Sequence, residues 1–186
     1  MKGVFLLFAL LLTTACKNNP VSETNQSQLN DYEILLSALV DDNKKRFTYT
    51  DAEGNQKFDE LKEFKALESI YIKNIEMKDA NGQLSEKNLK AIMFFAFYAK
   101  ERNSAAFQEY LATDLLPLYL KNRKAFLVVL EQSPFLIDAN CSRLNAYFSF
   151  EDQQKINRND FLQDNQPIFS RELTPENSNR CLKHFN

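Results

Sequence analysis

The sequence predicts a mainly α-helical protein, and three observations carry that reading. Apolar residues recur at helical spacing through most of the chain beyond residue 28. Ser133-Pro134 and Thr174-Pro175 each place a capping residue before the imino acid that suits a first helical position. The connections between residues 85 and 148 are short, which makes consecutive helices antiparallel neighbours. Antiparallel helical hairpins can then form a HEAT- or TPR-like stack or a compact orthogonal bundle. No self-similar period of about 34 or 40 residues assigns a repeat family.

Each element has its own signal. Leu29, Tyr32, Leu35, Leu36, Leu39 and Val40 mark a first helix, capped by Ser27 or Asn30 and ended by Asp41-Asp42-Asn43. Phe47 and Tyr49 alternate with polar neighbours before the turn residues Asp51 to Asn55, so a short extended segment is expected near 45–55. The helical pattern returns from about Gln56, with Phe58, Leu61, Phe64, Leu67, Ile70, Tyr71 and Ile75 on one face. After the turn Asp79-Ala80-Asn81-Gly82, Ser85 caps a helix running to about Asn103. Its centre, Ala91 to Ala99, is apolar all round, which predicts burial on nearly every side.

Ser104 opens the next helix, in which Pro117 should introduce a kink or a split. Lys121-Asn122-Arg123 is a polar break before the apolar run Ala125 to Leu130. The Ser133-Pro134 helix carries Cys141, and the short Thr174-Pro175 helix carries Cys181. Residues 149 to 173 are polar with scattered Phe150, Ile156, Phe161, Ile168 and Phe169, and read as an ordered loop with at most a short helix.

The first fifteen residues give an address. Lys2 is followed by the uncharged run Val4 to Ala15, rich in Leu and Phe, as in a secretory leader. That run is too short to span about 30 Å of hydrocarbon alone. The stretch Leu12-Thr13-Thr14-Ala15-Cys16 resembles the lipobox of bacterial lipoproteins, with Thr13 where Leu is usual and Leu12 one place further back. The resemblance implies cleavage before Cys16 and acylation of its thiol. Several acyl chains, each CH₂ contributing about 0.8 kcal/mol, make a lasting anchor. With Lys17 and not Asp after the Cys, the resemblance implies the outer membrane, facing the periplasm, in a Gram-negative source. The expected organisation is a signal peptide at 1–15, a lipidated flexible tether at 16–27 and a single helical domain at 28–186.

Cys141 and Cys181 form an even pair in a chain expected in an oxidising compartment. A bridge between them would staple the last helix to the body; two buried thiols or a reactive dithiol are the alternatives. No C-x-x-C motif favours redox chemistry.

Composition limits the function. Of 186 residues, 44% are apolar and 26% charged, with a formal net charge of −2 and no polybasic face, which disfavours nucleic acid. Three glycines, one of them in the leader, exclude glycine-rich phosphate cradles and the G-x-S-x-G elbow. His184 is the single histidine, which excludes multi-His metal sites. It lies near a helix end, where its ring would meet the terminal carbonyls. Glu68-Ser69 resembles the Glu-Ser pair of lytic transglycosylases, but no Gly-Leu-Met-Gln-like segment follows, and a solvated helix Glu is the better reading. Asp51 to Asn55 and Asp79 to Gln83 look faintly like calcium loops. Tyr49 and Met77 stand where the first carboxylate should be, so they read as turns.

No cofactor or metal is therefore expected, and no catalytic set. The aromatics, 16 Phe and 7 Tyr without Trp, mostly fill a core. Tyr110, Tyr119, Phe150, Phe161 and Phe169 are candidates to line a groove for a partner protein. The functional expectation is a lipid-anchored, non-enzymatic periplasmic protein that binds another protein, such as an inhibitor or immunity protein against an envelope-targeting effector. A scaffold or assembly adaptor of an envelope complex is the alternative, and a cell-wall or lipid hydrolase a weaker third.

Overall fold

The computed structural model describes residues 31–40, 47–149 and 156–186. The leader, Cys16, the tether and Phe150 lie outside these residues. Helix α1 spans Asp31–Leu39. Strands β1, Thr48–Thr50, and β2, Gln56–Phe58, then form an antiparallel hairpin, with Thr48 opposite Phe58 and Thr50 opposite Gln56. The extended segment expected near 45–55 is thus half of a hairpin. Its return strand takes residues assigned by pattern to the following helix, which begins at Glu60 rather than at about Gln56. Asp51 closes the turn: its Oδ1 accepts from the Glu53 and Asn55 amides, and Gly54 takes φ +85°.

Helix α2, Glu60–Glu76, starts where the Asp59 carboxylate accepts the Lys62 amide. The β-branched Ile70 and Ile72 do not interrupt it, because Leu67, Ile70 and Tyr71 bury on one face. The next turn repeats the first. Asp79 accepts from the Asn81 and Gln83 amides, and Gly82 takes φ +75°.

Helix α3, Glu86–Glu101, is capped by Ser85 as expected. It buries seven residues around its circumference and packs against α1, α2 and every helix from α4 to α6. Helix α4, Ala105–Lys121, follows Ser104 and is not split by Pro117. Pro117 lies on the exposed side, where water can satisfy the carbonyl it leaves free. Asn122 separates α4 from α5, Arg123–Gln132.

The Ser-Pro signal opens a 3₁₀ turn, Pro134–Leu136, before α6, Ile137–Ala146, and a second 3₁₀ turn, Tyr147–Ser149. The largest departure from the sequence reading follows. Residues expected to form a loop contain a fifteen-residue helix, α7, Arg158–Glu172. Its buried stripe is Phe161, Asn165 and Phe169. The polar residue in the middle, together with Pro167, hides the helical period. Helix α8, Pro175–Leu182, and a 3₁₀ turn, Lys183–Phe185, complete the chain. The Cys141–Cys181 disulfide joins α6 to α8, with Cα atoms 5.3 Å apart.

Eight α-helices and one small hairpin among the described residues make the protein mainly α-helical. In a solenoid each unit touches only its neighbours. Here α3 touches helices distant in sequence, and α4 packs on α6, so the arrangement is a compact bundle around α3 and not a stack.

Four buried asparagines fix how the helices register. Each donates from Nδ2 to the carbonyl four residues back: Asn74 to Ile70, Asn122 to Leu118, Asn140 to Leu136 and Asn165 to Phe161. Each also reaches a second element. Asn74 donates to Asp31, Asn140 donates to the Met93 carbonyl, Asn122 accepts the Leu84 amide, and Asn165 accepts the Tyr119 hydroxyl. A buried amide without such partners would cost about 1–3 kcal/mol, so this helix register, which leaves Asn140 Oδ1 as the one buried amide atom of the four without a partner among the described residues, is favoured over slipped ones.

Candidate functional site

The residues singled out for chemistry each take part in hydrogen bonds within the fold. Glu68 accepts a hydrogen bond from the Tyr110 hydroxyl at 2.9 Å, and this bond raises the Tyr110 pKa. Asp51 and Asp79 spend their carboxylates on turn amides, as the turn reading expected. No group of three potential metal-ligating side chains occurs among the described residues.

His184 reaches a carboxylate on another helix. Its Nε2 lies 3.1 Å from Asp138 Oδ1, beside Arg180 and Lys183 at 2.8 and 3.2 Å from the same carboxylate. Burial alone would push the Asp138 carboxyl up. The hydrogen bonds from Arg180, His184 and Lys183 together outweigh it and hold the group well below the usual carboxylate range. This clasp ties the end of α8 to the start of α6.

Among the proposed partner contacts, three are corrected. Tyr119, Phe161 and Phe169 are fully or almost fully buried. Their rings pack on one another and on Phe185, and the Tyr119 hydroxyl donates to Asn165 at 2.7 Å. They form core because α7 carries Phe161 and Phe169 inward onto Tyr119, which the loop reading did not foresee. Tyr110 is partly buried and its ring packs on Tyr71 and Phe107. Phe150 lies outside the described residues.

The solvent-facing aromatic surface is elsewhere. Phe135 is 50% exposed, and the half-buried Phe94 and Phe97 meet it edge-on, with centroids at 5.6 and 5.3 Å. The local fold explains the placement. The 3₁₀ turn Pro134–Leu136 sends Leu136 into the core and Phe135 outward. Positions 87, 90, 94 and 97 fall on one solvent-facing stripe of α3. The sequence reading assigned Phe94 and Phe97 to an all-round buried helix. The lysines at 87 and 90 were the available signal that this stripe reaches water.

One cleft adjoins this face at Phe94, and a second meets the first at Glu86. One of 550 Å³ is lined by Glu86, Lys87, Lys90 and Phe94. The other, of 560 Å³, lies between the starts of α3 and α5 and is lined by Lys121, Arg123 and Lys124 beside apolar Leu120, Ala125 and Val128. A third, of 630 Å³, holds Asp114 and Lys78 against Ile75 and Leu118. Glu68 lines none of these three clefts.

The fold and surface together define a small helical bundle with one aromatic face open to solvent and basic clefts beside it. No protein family, curated protein or solved structure matches the chain. Among the described residues, no helix is long and apolar enough to cross a membrane.

Proposed function

We propose that this chain is a lipid-anchored protein of the bacterial cell envelope that binds another protein and does no catalysis. In its most concrete form it is an inhibitor or immunity protein that occludes an envelope-targeting effector. The observation that carries the reading is the Phe94, Phe97 and Phe135 face. Clustered rings half open to water and rimmed by charge are the usual anchor of a protein contact, since removing them from water on binding is favourable.

The address supports the same reading. Cys16 follows a leader and resembles the acylated residue of a lipobox. The chain from Cys16 to Asp31 can reach at most about 50 Å when fully extended. Such a tether confines the body to a thin layer and raises its effective concentration for partners arriving there. The Cys141–Cys181 bridge suits an oxidising compartment.

The test has two parts. Mass spectrometry of the native protein should find a mature terminus at Cys16 bearing fatty acids. Removing the gene should sensitise cells to one envelope-targeting effector, and calorimetry should show that effector binding the wild-type chain at least about tenfold more tightly than Phe135→Ser. An unprocessed Met1, or an effector sensitivity unchanged by deletion, overturns the proposal. Co-purification with a resident envelope complex would instead favour an assembly adaptor.

A further inference from the structure

The surface beside the aromatic face is unusually basic for this chain. Among the described residues, five basic side chains, Lys87, Lys90, Lys121, Arg123 and Lys124, line the two clefts beside one acid, Glu86, which both clefts share. The chain as a whole carries a formal charge of −2. Two hydrogen bonds bring these groups together. The Leu84 amide donates to Asn122 Oδ1 at 3.0 Å, and Gln83 Nε2 donates to the Lys121 carbonyl at 3.1 Å. They dock the start of α3 against the start of α5. The Arg123 Nε is buried there with no hydrogen-bond partner among the described residues. At the other end of the α3 stripe, four residues beyond Phe97, stands the exposed Glu101. Lys100 and Arg102 on either side of it are exposed too, so the face is basic at one end, aromatic in the middle and of mixed charge at the far end.

We infer that this face docks an acidic amphipathic segment of the partner protein. Its apolar side chains would lie on Phe94, Phe97 and Phe135, and its carboxylates over the cations of the two clefts. Charge complementarity favours this occupant: opposed potentials steer the encounter and fix its direction along α3. An anionic bilayer would meet the same lysines, but it would also press headgroup phosphates against Glu86 and Glu101. A discrete segment can place neutral or basic residues there.

This inference rests on the protein-binding reading and names the chemistry of its partner. It is tested on the full mature chain in detergent micelles with three synthetic helical peptides of about five turns. The peptides share one Leu/Phe stripe and carry Glu, Gln or Lys on the flanking positions. The Glu peptide should bind about tenfold more tightly than the Gln peptide and lose that advantage at high salt, while the Lys peptide binds weakest. The surface variant Lys87→Glu with Lys90→Glu and Lys124→Glu should invert the order, with an unchanged circular-dichroism melt showing that it folds. Phe135→Ser should weaken all three peptides alike.

Equal affinities, no binding by any peptide, or a preference for phosphatidylglycerol vesicles over the Glu peptide each overturn the inference. The two proposals fail separately. Equal peptide affinities beside intact acylation and effector protection remove the acidic partner alone. Loss of acylation or of protection removes the anchored binding role even where the Glu peptide binds.

Discussion

Around Phe107, the rings of Phe64, Tyr71, Phe95, Tyr98 and Tyr110 gather from α2, α3 and α4. Around Phe161, the rings of Tyr119, Phe148, Phe169 and Phe185 gather from α4, α7 and the turns flanking α6 and α8. The first cluster is built by helices rich in buried apolar side chains, with seven buried residues in each of α3 and α4. Burial there pushes the Tyr98 hydroxyl up to about 12. The second is closed by α7 and α8, which bury three residues each, half of them polar: Asn165, Asn177 and Ser178 beside Phe161, Phe169 and Cys181. The disulfide and the Asp138 clasp both act on this thinner region. Where little apolar area is available to hold a helix, covalent and ionic links supply the difference.

Breaking each cluster should expose that contrast. Phe107→Ala removes the hub of the first and should cost about 3–5 kcal/mol in chemical denaturation, a global loss that lowers the melting temperature of the whole body. Replacing Cys141 and Cys181 by Ala should cost about 2–5 kcal/mol, since the bridge spans 40 residues and restricts the unfolded chain. Its signature is local. Hydrogen exchange should quicken in α7 and α8 while the α3 amides keep their protection.

A finer contrast lies in two tyrosine hydroxyls. Tyr119→Phe strands the buried Asn165 Oδ1 and should cost about 1–3 kcal/mol. Tyr71→Phe leaves Asp114, which reaches solvent, and should cost about 1 kcal/mol or less. A similarly small effect belongs to Asp138→Asn, about 1 kcal/mol at neutral pH, because the clasp is partly solvated. Its pH dependence is diagnostic. The folded-state pKa of Asp138 lies below the unfolded value of about 3.9. The clasp therefore contributes fully above about pH 4 and is lost as the pH falls through the lower folded-state value. The wild type should lose stability over that acid range relative to Asp138→Asn, and urea midpoints at several pH values measure the difference.

The regions differ as much in how well the sequence announces them. Ser85, the Asp79 turn and the apolar core of α3 are local signals, and the structure follows them. The Cys141–Cys181 pairing was legible from parity and expected compartment. The interval holding α7 was misread as loop because its inward stripe runs Phe161, Asn165, Phe169. A buried Asn looks like a solvent residue until its partner, Tyr119 on another helix, is known. The same blindness put Tyr119, Phe161 and Phe169 on the surface and Phe94 and Phe97 inside.

The chain's own pattern of apolar spacing, caps and turn residues determined that it is helical and where most helices begin, because those choices are made within a few residues. Which side of each helix meets water was decided by tertiary contacts between segments some 40 residues apart or more, such as Asn122 with Leu84 and Asn140 with Met93. A side chain's burial depends on what packs over it, and no local window of sequence contains that neighbour.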